Sequence, residues 1–525
     1  MRLFFLFACW GREYGLFDER RRVGGCRMKD SFYALKSVLL GAAIAQVIAT
    51  IQVYLSNIDL YQSLLAIQDA GVDYLTVPNR NMMPALKAYG PAFWGGMFFT
   101  VSIGLGVSLT TFVALWVWDR IFSRKRFVLI LLFFIWLGGL CLVNLWGFDL
   151  MVTLYFLIIP PSVFFYALSR VPEITKKEVL LKCGVYLAPL ALLFILWANW
   201  EDNSLFINIR DNLLLSNRLG TRINDFYYKY TLYPAEVFKP LAQKTIKTYR
   251  LEKSEEKTTR EKLDRILLDN DYFFVKGKDE VDLLVQLRDD GLRLKHQGKT
   301  VVQTTLEEFL SGADKVLEEF SFRMDRHFMF RRLTFFSILF CIPALFYVLV
   351  FELFSGLSGM AFSQGVSSAT AAVLCFVLGV MIVVPFGTGG RQTIDGDRLL
   401  KALNSENWRN RVRALKVLPA IGMEIGDSSA YQKILTSPHV PERYWLARAL
   451  GNSRRPRTYR DLLTLLDDPQ PNVVCMAFYG LGKRGDTRAV NEIVTRVKAS
   501  EHWYEQWYAY NALKSLGWRQ KRRDR

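Results

Sequence analysis

Six residues, Gly480-Leu-Gly-Lys-Arg-Gly485, spell a GxGxxG string. That spacing holds a dinucleotide when a strand, a tight turn and a helix N-terminus wrap backbone amides around a pyrophosphate. Here the glycines follow a helical pattern, so the sequence assigns them to a helix cap. Gly298-Lys299-Thr300 resembles the end of a phosphate-binding loop, but Arg293 fills the earlier position that the loop needs as glycine. Gly387-Thr-Gly-Gly390 is a flexible exit from an apolar segment and only a weak anion nest. The seven cysteines include no CxxC pair, and His296, His327, His439 and His502 are dispersed. Metal sites and disulfide frameworks need clustered ligands. No GxSxG or HExxH occurs. No catalytic, cofactor or metal site is expected, and nothing in the sequence argues for an enzyme.

What remains is binding chemistry. The net charge is +18, and residues 391–525 hold 25 Lys and Arg against 14 Asp and Glu. Such a surface suits anionic lipid headgroups or acidic proteins, with nucleic acid ranked last. Arg409, Arg411 and Arg443 are read as exposed residues that would meet an acidic partner. Trp503, Trp507 and Tyr510 fall at i, i+4 and i+7, one helical face beside Arg519, Lys521, Arg522 and Arg523. That face is expected to pack against the preceding repeat; a partner-binding or membrane-touching stripe is the sharper reading.

The elements that carry these residues divide sharply. Apolar runs of about 20 residues, the length that matches a bilayer core as a helix, are read at 35–55, 92–118, 127–146, 150–169, 179–199, 333–354 and 364–386. Trp94, Trp116, Trp118, Trp146, Trp197 and Trp200 sit at their ends, where an amphipathic ring favours the headgroup level. Small residues recur at helical spacing in Ala42/Ala45/Ala49 and Ser102/Gly106/Thr110, which lets helix backbones approach closely. Pro160-Pro161, Pro189 and Pro343 are expected to kink their spans. Ionisable residues are nearly absent from the middle of the spans, which argues against an ion-coupled transporter. Arg120, Arg124, Lys125, Arg126, Arg170, Lys176 and Lys177 favour a cytoplasmic N-terminus, whereas Arg323, Arg326, Arg331 and Arg332 pull the other way. Residues 1–27 read as an extension ahead of Met28.

Residues 201–332 are too polar to span and read as a small α+β domain. Ser204 to Ser216 suggests an amphipathic helix, and Asp225-Phe-Tyr-Tyr-Lys-Tyr230 an aromatic patch. Residues 251–262, dense in Lys and Glu, read as an exposed helix or linker. Tyr272 to Val275, Leu292 to Lys295 and Thr300 to Gln303 alternate like strands, the last two joined by a turn at His296-Gln-Gly298. A helix from Thr305 is expected to run on towards the sixth span.

The C-terminal part repeats itself. Ala414 to Gly422, Trp445 to Gly451, Met476 to Gly482 and Tyr510 to Gly517 end alike, each preceded by a first helix such as Asp397 to Leu403 or Tyr459 to Leu466. A period near 30 with two helices per unit defines a solenoid, and the terminal glycines read as left-handed caps. On these motifs residues 395–518 resemble the HEAT-repeat superfamily, especially the short type found in phycobilisome lyases. The resemblance implies protein binding and carries no lyase activity; Pro419 and the long aromatic fourth repeat depart from the pattern.

The expected architecture is mainly α: residues 28–200 as a five-helix membrane bundle, 201–332 as the inserted domain, 333–386 as two further spans, and 391–525 as the HEAT-like solenoid. The expected function is a multi-pass membrane scaffold or assembly factor that binds a protein through the repeats. The alternative is a transporter, channel or membrane-embedded enzyme subunit regulated by them. Residues 391–525 expressed alone should be mostly helical by circular dichroism, because stacked repeats can bury a continuous core; a β-rich or disordered spectrum contradicts the repeat assignment.

Overall fold

The computed structural model describes residues 23–71, 74–170, 177–199, 207–208, 210–252, 257–276, 280–288, 291–388, 396–419, 424–425 and 430–520. Lys176, Trp200, Gly389-Gly390, Gly422 and the 521–523 basic run lie outside them, as do residues 1–22. The chain divides into two compact units: residues 1–53, 93–205 and 325–390 in one, and residues 54–92, 206–324 and 391–525 in the other.

The first unit is helical: α1 (Val23–Asp69, up to Val53), with α2 (Met83–Lys87) belonging to the second unit, then α3 (Tyr89–Arg120), α4 (Arg126–Val143), α5 (Leu150–Leu168) and α6 (Lys177–Asn199). Two later helices, Phe328–Ser358 and Gln364–Thr388, complete it. A helix underlies each of the seven apolar runs. Among the described residues five helices are long and apolar enough to cross a membrane; Leu187–Leu196 and Val366–Ile382 are shorter apolar stretches.

Small side chains explain how these helices close on one another. Ala45 and Ala49 are fully buried, and a Cβ on Gly96 would lie 3.0 Å from the Thr50 amide nitrogen. Several of the polar groups beside these contacts are uncharged and paired with one another or with backbone carbonyls. Gln46 donates to the Phe93 carbonyl at 2.9 Å and accepts from the Thr100 hydroxyl at 2.8 Å, and Ser337 donates to the Ser102 carbonyl at 2.7 Å. Thr100–Gly104 forms a π turn within α3. Pro160, Pro161, Pro189 and Pro343 sit inside continuous helices. Trp94 and Trp146 are exposed, but Trp116 and Trp118 are buried. Trp118 donates to the Lys125 carbonyl at 3.0 Å and packs on Phe164, so this ring serves the turn after α3.

At the α4–α5 turn Asp149 caps α5, accepting from the Val152 amide at 3.0 Å, and lies 3.1 Å from His327 and 3.5 Å from Arg326. Burial works to raise its pKa. The His327 hydrogen bond, the Val152 amide and the nearby positive charges overcome that and hold it at about 2.

The second unit contains α7 (Arg218–Tyr230), α8 (Leu232–Phe238), β1 (Lys247–Leu251), α9 (Lys257–Asp269), β2 (Tyr272–Phe274), β3 (Leu283–Arg288), β4 (Gly291–His296), β5 (Lys299–Thr304) and α10 (Leu306–Arg323). The first unit's later pair, numbered in chain order, are α11 (Phe328–Ser358) and α12 (Gln364–Thr388). The sheet order is β2-β1-β3-β4-β5, with β1 parallel to both neighbours and β3-β4-β5 an antiparallel meander.

The hairpin falls where the sequence places it, its turn made by Gln297 and Gly298 at positive φ. The α9 stretch is no linker: Leu263 and Leu267 recur every fourth residue and enter the core with Tyr249, Leu292 and Phe309. Thr305 caps α10, its hydroxyl accepting from the Glu308 amide. That helix stops at Arg323 and α11 starts afresh at Phe328, so it does not run on. Of the helix expected over Ser204–Ser216, Arg210–Leu214 is a π turn, and residues 204–206 and 209 lie outside the described residues.

The repeats supply α13 (Gly396–Leu403), α14 (Trp408–Val417), α15 (Tyr431–Leu435), α16 (Val440–Leu450), α17 (Pro456–Leu465), α18 (Pro471–Arg484), α19 (Ala489–Ala499) and α20 (Trp503–Ser515). The second helices α14, α16, α18 and α20 pack in series.

The repeat glycines need correcting. Gly517 is left-handed at φ 78°, but Gly451 is right-handed, and Gly482 lies inside α18, whose cap is Gly485 at φ 73°. Gly451 and Gly480 are glycines because the backbones touch: a Cβ on Gly451 would sit 2.9 Å from the Gly480 Cα. Gly451→Val is expected to destabilise the unit by about 1–3 kcal/mol through overpacking, read as a lowered thermal midpoint of the detergent-solubilised chain; an unchanged midpoint would contradict close approach.

Candidate protein-interaction surface

The second helices of the repeats carry a row of large amphipathic side chains, and within this unit each meets another segment of the chain. In α14, Lys416 pairs with Asp211 at 2.8 Å and donates to Asn208 at 2.9 Å. In α16, the Trp445 indole donates to the same Asp211 at 2.7 Å, and the Arg210 guanidinium lies 4.0 Å from the Tyr444 ring. In α18, Asn472 exchanges hydrogen bonds with Asn224 of α7. In α20, Trp503 meets Tyr233 edge-on at 5.2 Å, Tyr504 lies 4.7 Å from Tyr228, and Tyr510 donates to Asp271 at 2.6 Å.

The loop ahead of α2 closes the far end. The Asn79 amide donates to Gln506 at 2.9 Å, and the Asn79 side chain donates to the Val497 and Ser500 carbonyls. Gln520 donates to the Leu75 carbonyl at 2.6 Å.

Burial sets the electrostatics of this row. Burial works against the Arg210 charge, but Tyr444 and Asp211 overcome it and leave the guanidinium above its ordinary pKa. Burial lowers Lys416 despite Asp211. Lys247 falls to about 8, burial outweighing Asp271 while Lys514 adds repulsion. Asp271, held at φ 64°, collects both Tyr510 and Lys514.

The residues singled out from the sequence separate. Arg409 is exposed, its guanidinium 5.2 Å from the Trp408 ring. Arg411 and Arg443 are not exposed, a correction. Arg411 forks onto Glu442 and donates to the Ser405 and Glu406 carbonyls, and Arg443 pairs with Asp468 at 2.6 Å. Both bridge successive repeats, as Arg496 does to Asp467; their charge serves the stack. Trp503 is buried at 3% exposure, and Trp507 is half-buried against Tyr508. Asn79, Asp211, Asp271 and Asn472 were missed. Each is a single polar residue whose partner lies far along the chain, and no local pattern marks it. Among the described residues no group of three or more His, Cys, Asp or Glu could hold a metal.

Comparison with known proteins agrees on the repeats. A family model for HEAT repeats matches residues 428–514. No curated protein and no solved structure matches the chain. The chain therefore carries a C-terminal HEAT-repeat segment, a fold that mediates protein–protein interaction.

His502 caps α20, accepting from the Glu505 amide. Burial, with Lys229 adding repulsion, lowers its pKa to about 4. The unfolded chain protonates this ring below about pH 6.5 and the folded chain only below about 4, so its contribution to stability falls as the pH drops through that window. Glu505, raised by burial, acts in the opposite sense. His502→Asn keeps a capping side chain and removes the titration. Wild type should lose on the order of 1–3 kcal/mol more than this variant between pH 6.5 and 4, measured as the difference in thermal midpoint; parallel curves would exclude His502 as the source.

Proposed function

We propose that the chain is a multi-pass membrane protein acting as a scaffold or assembly factor, docking a protein partner on its HEAT repeats. The observation that carries this reading is the division of the repeat surface. The second-helix face is engaged by residues 75–79, 208–233 and 271 of the same unit, whereas the first-helix side stays open and basic. In α17, Thr458, Leu462 and Leu465 are buried while Arg457 and Arg460 are exposed, with Arg488 exposed beyond α18. Charge there steers an acidic partner and sets specificity and association rate. Arg409 and Trp507 keep accessible surface but stand on second helices, outside the first-helix face proposed for docking; Arg411, Arg443 and Trp503 support the stack from within. The short repeat type over 395–518 is part of this reading, supported by four second helices between Trp408 and Ser515. The basic loop at 119–126 supports a cytoplasmic N-terminus.

A second reading, a transporter or channel with regulatory repeats, draws on the π turn at Thr100–Gly104 beside Gln46, since π turns gather at functional sites. A reproducible transport signal from vesicles would reverse the order of the two.

The discriminating variant is Arg457→Glu/Arg460→Glu/Arg488→Glu in the full chain. It should recover an acidic partner about tenfold less well at low salt, with unchanged helicity, and the wild type should lose that partner as salt rises. Equal recovery by both at every salt concentration sinks the first-helix face as the docking surface.

A further inference from the structure

α7 presents three faces. Gly220 and Asn224 are buried, the latter on Asn472, and Tyr228 packs against Tyr504. Leu219, Ile223, Phe226 and Tyr227 are 69%, 52%, 38% and 48% exposed. Arg218, Arg222 and Lys229 are exposed as well. At about 100° per residue the four apolar side chains share one sector, and the three basic ones form a row along its border. The one acidic residue of the helix, Asp225, lies on the far side of that row.

A basic row beside an aliphatic and aromatic stripe is the composition of a helix lying in the interface plane of a bilayer, with rings at headgroup depth. The alternative occupant, a protein, fits less well. The exposed parts of four side chains fall short of the roughly 800 Å² that each partner buries in a standard interface. A lipid surface sets no such minimum. In the chain α7 follows α6, whose Leu187–Leu196 stretch is apolar.

We propose that α7 is an in-plane anchor for an anionic phospholipid leaflet. Leu219, Ile223, Phe226 and Tyr227 enter the headgroup region, and Arg218, Arg222 and Lys229 pair with the phosphates and carboxylates. Because its buried face holds Asn472 and Tyr504, the same helix ties the repeats to the leaflet. The inference rests on the reading that the apolar helices cross a bilayer, and the test separates the two.

The full chain is reconstituted into nanodiscs of phosphatidylcholine, with or without about one third phosphatidylserine, carrying benzoylphenylalanine in place of Ile223, of Phe134 in α4, or of Thr464. Phe134 is 61% exposed on an apolar helix and Thr464 is exposed on α17. After irradiation, mass spectrometry reads lipid adducts. Lipid adducts at 134 and 223 but not at 464 are expected. The 223 adduct should fall several-fold without phosphatidylserine and in Arg218→Gln/Arg222→Gln/Lys229→Gln, because each basic residue near an anionic surface is worth about fivefold in partitioning. The 134 adduct in that variant certifies its insertion. Adducts at 134 with none at 223, or with protein adducts at 223 in native membranes, overturn the anchor alone. An equal 223 adduct in both lipids overturns the pairing with anionic headgroups. No lipid adduct at either position overturns the membrane reading and the anchor with it.

Discussion

The repeat unit is governed by the cost of leaving an indole N–H, an amide or a carboxylate buried without a partner, about 1–3 kcal/mol each and more for a charge. The second-helix face carries Trp445, Asn472, Gln506 and Tyr510, all buried. Within the same compact unit, Asp211, Asn224, Asn79 and Asp271 supply the complementary atoms. The Asp211 carboxylate serves three groups at once: Arg210, Lys416 and Trp445. Satisfying these groups in concert fixes one register of the repeats on the inserted domain. The driving force lies elsewhere. Each large aromatic side chain buries about 150–250 Å², worth about 25 cal/mol per Å². A buried ion pair roughly cancels its own desolvation. Trp503, Tyr233 and Tyr444 stabilise the assembly, and the carboxylates decide where it sits.

How much of this is legible in the sequence follows from the range of each interaction. Helical periodicity is local, so the apolar helices, α10 with its Thr305 cap and the repeat helices are all readable. The hairpin is readable because Gln297-Gly298 joins adjacent strands. β1 and β3 were not read. Both are central strands whose partners come from distant segments: Tyr249 pairs with Phe274 on one side and Leu283 on the other. The charged run at 251–262 is legible as an exposed helix, which the structure shows from Lys257, but it hides the few residues just beyond it, Leu263 and Leu267, that carry the buried face.

The repeat glycines and arginines show the same limit from another side. Their recurrence is visible and correctly marks the period; their roles are not. A glycine that caps and a glycine that admits a neighbouring backbone are the same letter; the left-handed φ of Gly485 and the 2.9 Å approach of Gly451 to Gly480 separate them. Likewise Arg411 and Arg443 fall at positions that a surface pattern would call exposed. Their acceptors, Glu442 and Asp468, stand about one repeat away, so a quasi-one-dimensional array turns charge on one unit into a link to the next. Arg457 lies over the Tyr431 ring and Arg488 pairs with Asp486, yet both, like Arg460, remain exposed. Position on the first-helix side, more than residue type, is what separates them from Arg411 and Arg443.

The two sides of the repeat array therefore answer different demands. One side is polar and aromatic, and its donors and acceptors are met by the chain itself. A partner there would have to displace Asp211 and Asp271 from Trp445, Lys416, Tyr510 and Lys514, leaving several buried groups to be re-satisfied together. Even at about 1 kcal/mol per lost hydrogen bond, that is a penalty of several orders of magnitude in affinity. The other side exposes guanidinium groups that rest on rings or on surface carboxylates: Arg457 lies 5.9 Å from the Tyr431 ring, and Arg488 pairs with Asp486 at 2.6 Å. Engaging them with acidic side chains costs at most an exposed ion pair such as Arg488–Asp486, worth little in water, and leaves the buried partners in place. On the reading proposed above, a partner met on the first-helix side would leave the unit's internal architecture intact.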